Sequence, residues 1–151
     1  VRGKKALFIT IGQSPRPDIL DEMRPWWESS GAALDVVERG ALDGLSPSQV
    51  ERLVPRAEDT PLVSRLQDGT EVTLGSGWIH HRVQEIVSEA GEEDFDFLVL
   101  LCTGRFPGLR SKQLVVKAGP VLDRGLEAFR EAAPALGVLV PHEKQEGVFL
   151  E

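Results

Sequence analysis

With 151 residues, 41% of them hydrophobic and 27% charged, the chain has the length and composition of one ordinary globular domain rather than of a disordered segment. A formal net charge of -7, with no cluster of lysine or arginine, argues against a nucleic-acid partner, whose phosphates demand the opposite sign. The single cysteine excludes an internal disulfide and thiolate zinc sites, and no apolar run approaches the ~20 residues that cross a bilayer, so the chain reads as cytoplasmic with no membrane partner.

Residues 6–11 form the first apolar run and pass into Gly12-Gln13-Ser14-Pro15-Arg16-Pro17-Asp18, a polar turn with a helix start built in. Ser14 and Arg16 are the candidate N-caps, since each precedes a proline whose fixed φ suits the first helical position. The helix carries Ile19, Leu20, Met23 and Trp27 on one stripe, and Pro25 should kink or end it early. A second short strand spans 33–37. Leu45-Ser46-Pro47-Ser48-Gln49-Val50 then holds a capping box, Ser46 with Gln49, inside a Leu45/Val50 staple, and Pro55 closes that helix.

The segments 62–67 and 70–74 flank Asp68-Gly69, a dipeptide suited to a type I′ hairpin turn. Ser76 caps a third helix whose stripe is Ile79, Val83, Ile86, Val87 and Ala90, stopped by Gly91. From Asp96 to Leu101 the chain is an apolar run without polar alternation, the pattern of a parallel strand covered on both faces, and it stops at Cys102-Thr103-Gly104. Pro120 opens a fourth helix with Leu122, Leu126, Phe129 and Ala133 inward, ended by Pro134 before a last strand over 136–140. The alternation specifies an α/β fold, a parallel sheet with an inserted antiparallel hairpin. The expected division is one domain over 1–134, with 135–151 as the first strand of a second half domain that is cut short.

In open parallel sheets, ligands bind beyond the carboxyl ends of the strands, which singles out two segments. One is the Gly12 to Asp18 loop, where Gln13, Ser14 and Arg16 stand near a helix N-terminus and Arg16 could clamp a carboxylate bidentately. Set against this, Ser-Pro and Arg-Pro are common helix entries. The other is Cys102 with Thr103, Gly104 and Arg105. Cys102 is a candidate nucleophile or base if turn amides or Arg105 lower its pKa, although a lone cysteine at a strand is more often a small core residue. Arg105 and Arg110 bracket a turn at Phe106-Pro107-Gly108 that either folds over the crevice or is merely solvated. His80-His81 diverge by about 100° on a helix and cannot share an ion, so both are expected at the surface and no metal site is expected. Trp26-Trp27 reads as core and interface, and no Gly-x-Gly-x-x-Gly or Walker loop supports a nucleotide cofactor.

Phe8-Ile9-Thr10-Ile11-Gly12-Gln13-Ser14-Pro15-Arg16-Pro17-Asp18, Arg39-Gly40-Ala41-Leu42-Asp43, Asp68-Gly69, Leu101-Cys102-Thr103-Gly104 and Gly137-Val138-Leu139-Val140-Pro141 together resemble the AroM family. The family looks like a branch of the aspartate/glutamate/hydantoin racemase superfamily, whose enzymes hold a ligand between two similar α/β domains. One cysteine from each domain there moves the proton beside a carboxylate. The resemblance implies a racemase-like, doubly wound three-layer domain without a cofactor. Cys102 matches the first such cysteine and Thr103 a carboxylate-holding position, while Ser14 corresponds loosely to the residues after the first strand. Gly104 and Arg105 depart from the usual asparagine-threonine surroundings, and a second cysteine has no counterpart.

The first expectation is therefore a domain that binds a small carboxylic acid where the two loops meet. Cys102 would be the acid/base, and Gln13, Ser14, Arg16, Thr103, Gly104 and Arg105 would surround the ligand. A non-catalytic metabolite-binding or regulatory module is the alternative, and a homodimer burying Trp26 or Trp27 is a third reading.

Overall fold

Ala6-Leu7-Phe8-Ile9 offers water no polar side chain, and in the computed structural model of the chain this run lies inside the sheet, at most 3% exposed at any residue. The structure describes residues 3–133, 135, 137, 139, 140, 142 and 143. Strand β1 (Lys4–Thr10) pairs in parallel with β2 (Leu34–Gly40) on one edge and with β5 (Phe97–Leu100) on the other. A further parallel strand, β6 (Leu114–Lys117), lies outside β5, giving the order β2-β1-β5-β6. The inserted hairpin, β3 (Pro61–Arg65) with β4 (Glu71–Gly75), forms its own antiparallel sheet.

Alternation along β1 separates two faces. Leu7, Ile9 and Ile11 join Leu98 and Leu100 in a core against helix α3 (Ser76–Ala90), where the whole expected stripe from Ile79 to Ala90 is buried. On the other face, Ala6 and Phe8 meet Leu20, Ile19, Met23 and Trp27 of α1 (Pro17–Ser29). Phe8 and Trp27 make an edge-to-face contact at 6.0 Å. Helices on both faces of a parallel sheet make a three-layer α/β fold, as the sequence predicts.

Several local expectations are corrected. Helix α1 runs four residues past Pro25 to Ser29, so the proline does not end it. Of the two candidates for its start, Arg16 is the N-cap with Pro17 at the first helical position, although its side chain is spent on Asp18 and makes no capping hydrogen bond, and Ser14 lies upstream, bound to Asp43. The second strand extends to Gly40. The capping box at Ser46 holds, with the Ser46 N–H donating to Gln49 Oε1 at 2.8 Å, but its helix, α2 (Pro47–Val50), is a single turn continued by a 3-10 turn to Leu53. In the hairpin only Gly69 has positive φ, so the connection is not type I′. The Gly69 N–H donates to Leu66 O and the Leu66 N–H to Thr70 O, the pattern of a three-residue loop closed by a glycine bulge. The N-terminus of α3 is capped by Asp59 rather than by Ser76: Asp59 Oδ1 accepts from the Gly77 N–H at 2.8 Å and from the Ser76 hydroxyl at 3.3 Å.

Strand β6 is not announced by the sequence pattern, and its presence alters the setting of the helix beyond it. Helix α4 (Ala118–Ala132) carries the expected apolar stripe, yet Leu122 and Phe129 are exposed, as is Val121 beside them. Leu114 and Val116 share a sheet face with Phe97 and Val99 and are exposed too. Of the strand expected over 136–140, residues 136 and 138 lie outside the described residues, as do Pro134, Pro141 and most of the segment assigned to a second half domain. Among the described residues no helix is long and apolar enough to cross a membrane.

Candidate functional site

Because β2 and β5 flank β1, the chain reverses its direction of travel across the sheet at β1, and the loops leaving β1 and β5 depart from neighbouring carboxyl ends. Such a switch point is where an open α/β sheet leaves a crevice. The two segments singled out in the sequence are these two loops, and their polar groups have opposite fates.

After β1, nearly every polar group has an internal partner. Asp43 accepts from the Ser14 N–H at 2.8 Å, the Ser14 hydroxyl at 2.6 Å and the Gly40 N–H at 2.7 Å. Gln13 is sewn to the hairpin: its N–H donates to Arg65 O, and its Oε1 accepts from the Gln67 N–H at 2.9 Å. Gln67 Nε2 returns the link by donating to Ser14 O at 2.8 Å. Arg16 forks onto Asp18 at 2.8 and 2.7 Å and reaches Thr10 Oγ1 at 3.3 Å, with its side chain only 11% exposed. The Arg16 hydrogen bond holds the Asp18 carboxyl below its ordinary pKa. A guanidinium so placed is spent on Asp18. Gly12 is obligatory here, since a side chain would run into the Ser64 hydroxyl and the Arg65 backbone.

After β5, the backbone turns around Gly104, whose N–H lies 3.4 Å from Cys102 Sγ. The half-buried Cys102 packs against the Leu7 core, and a Cβ at Gly104 would meet both Sγ and Leu62. Burial pushes the thiol up to about 11, outweighing the opposing Gly104 hydrogen bond. Beyond it, Thr103, Gly104 and Arg105 line a cavity of about 230 Å³. Lys117, Gly119, Pro120 and Asp123, from the end of β6 and the start of α4, close it on the other side, and Phe106 and Pro107 add apolar surface. Gly119 lets α4 begin flush against this turn, since a side chain there would strike Thr103 O at 2.8 Å. Arg105 Nη1 stands 3.9 Å from Asp123 Oδ2.

Of the turn expected over the crevice, Phe106 and Pro107 line the cavity, with Phe106 buried, whereas the Arg110 backbone is pinned to α3, its N–H donating to Gln84 Oε1 at 2.9 Å and its carbonyl accepting from Gln84 Nε2 at 2.8 Å. His80, expected at the surface, instead packs at a tilt against Phe106 with ring centroids 4.7 Å apart and leaves a buried Nε2 without a hydrogen bond. His81 is exposed beside Glu85. Trp26 is 79% exposed, whereas Trp27 packs on Phe8. No group of three or more His, Cys, Asp or Glu among the described residues is placed to hold a metal ion.

The sequence pattern thus places Thr103, Gly104 and Arg105 together at the cavity, sets Cys102 just behind it, and misses Asp43, Lys117 and Asp123. For Asp43 a signal exists in the Arg39-Gly40-Ala41-Leu42-Asp43 segment. Lys117 ends, and Asp123 follows, a strand too short to announce its own carboxyl end.

The architecture defines a three-layer α/β domain with an open parallel sheet and a small cavity at its carboxyl edge. Within that class the chain belongs to the AroM family, whose model, described as AroM protein, matches residues 7–149. No curated protein and no solved structure matches the chain.

Proposed function

We propose that this AroM family domain binds a small carboxylic acid in the cavity formed by Thr103, Gly104 and Arg105. The observation that carries the reading is the coincidence of that cavity with the carboxyl end of β5, where Thr103 and Arg105 both line a space of about 230 Å³. This volume falls below the ~300 Å³ at which drug-sized pockets begin, and it suits a metabolite of a few carbons. Thr103 donates a hydrogen bond and Arg105 supplies the charge. The loop after β1 contributes shape, since Ser14 and Arg16 have their side-chain donors occupied and Gln13 is tied to the hairpin through its backbone N–H and its Oε1.

Thermal-shift screening with small carboxylic acids tests the reading, because a ligand at ~100 times its Kd adds about 2.7 kcal/mol of stability. Arg105→Gln and Thr103→Val should each reduce the shift. A selective shift that survives both substitutions would move the site elsewhere.

In the second reading Cys102 acts as acid/base, favoured by its position at the strand end with the Gly104 N–H beside the sulfur. A thiol at about 11 is protonated at neutral pH, so this conformation supplies an acid and not a base. Alkylation by iodoacetamide should accelerate about tenfold per pH unit from neutrality past pH 9. A plateau near pH 7 would instead support a base. Cys102→Ser should leave binding intact if the domain is a binding module, and should abolish turnover without abolishing binding if it is an enzyme.

A further inference from the structure

The cavity holds more charge than Thr103, Gly104 and Arg105 supply. Its lining brings Lys117 and Asp123 to the side of Arg105. The Lys117 ammonium makes no hydrogen bond or ion pair with any described residue. Arg105 and Asp123 stand 3.9 Å apart, about 1 Å beyond a charge-assisted hydrogen bond, in contrast to the close fork of Arg16 on Asp18. One cation is therefore uncommitted, and a second is loosely held by one carboxylate. The sum is a single positive charge. A monocarboxylate neutralises it, whereas a dicarboxylate leaves the cavity negative and sets its second carboxylate against Asp123.

We propose that Lys117 and Asp123 set the charge specificity of the cavity: Lys117 joins Arg105 on the ligand's one carboxylate, and Asp123 turns away a second anionic group. The ligand class is then a small monocarboxylic acid. The inference rests on the carboxylate-binding reading above, and it adds two residues and a charge limit to it.

Butyrate and succinate, alike in carbon count and different in charge, are titrated into the full chain while the Gly104 and Gly119 amide signals are followed in proton–nitrogen NMR spectra. Wild type should bind butyrate about tenfold more tightly than succinate, and Asp123→Asn should move that ratio about tenfold toward succinate. Lys117→Gln should weaken butyrate about tenfold while leaving the thermal midpoint in place, since the ammonium has no internal partner to lose. A butyrate-to-succinate ratio unchanged by Asp123→Asn, or undiminished butyrate binding by Lys117→Gln, overturns the inference and leaves the carboxylate reading standing. If neither acid perturbs Gly104 or Gly119 in wild type, both fall.

Discussion

The loops that follow β1 and β5 leave adjacent strands at the same edge of one sheet, and each offers hydroxyls, a guanidinium and a glycine. One is closed and the other open. After β1, Asp43, Asp18 and Gln67 absorb the donors of Ser14, Gly40 and Arg16 and brace Gln13 and Ser14. After β5, Lys117 has no described partner and Arg105 only a distant one. A polar residue at a strand end becomes available to a ligand only when the rest of the fold has not already satisfied it.

Breaking the closed side should cost the most. In Gly40→Ala the new methyl would meet Asp43 Oδ1 at 2.6 Å and Ser14 N at 2.7 Å, in backbone that cannot retreat. The expected loss is about 3 kcal/mol, read from the urea midpoint. Asp43→Ala removes the acceptor for three donors and should cost about 2 kcal/mol in the same assay. A variant as stable as wild type would show that the loop stands without this carboxylate.

On the open side the effect depends on pH. The native chain keeps the Cys102 proton up to about 11, whereas the unfolded chain releases it near the ordinary thiol value of ~8.5. Between those values the unfolded state binds fewer protons, so stability falls as pH rises, by about 1 kcal/mol per pH unit at most. Urea titrations over this window should show the slope in wild type and its loss in Cys102→Ala. Smallest of all is Phe129→Ser, expected to change stability by under about 0.5 kcal/mol, because the ring is 62% exposed and buries little. A large loss on calorimetry would mean that α4 rests on something its exposure does not reveal.

What the sequence displays well is periodicity. Ile79, Val83, Ile86, Val87 and Ala90 form a buried stripe as their spacing requires, and the apolar run at 97–100 becomes an interior strand. What it displays poorly is partnership across distance. Nothing near Ser76 tells that Asp59 will take its capping role, and nothing near Ser14 tells that Asp43 will hold it. Amphipathy in α4 identifies which side would be buried but cannot supply a surface to bury it against. Leu114-Val115-Val116-Lys117 is four residues long and runs directly into a helix, so its pattern is too brief to mark a strand, and Lys117 and Asp123 stay hidden with it. Thr103, Gly104 and Arg105 are legible because a long apolar run makes its own end conspicuous.

The central position of β1 also imposes a timetable. Its neighbour β2 is complete by residue 40, joined through α1 alone, so one flank of β1 can zip up from contiguous chain. Its other neighbour does not exist until residue 100 has been synthesised, after the hairpin and α3. During translation the face of Leu7 and Ile9 therefore waits for α3, whereas α1 is already at hand for the face of Ala6 and Phe8, and the edge that later builds the crevice is the last part of β1 to be covered.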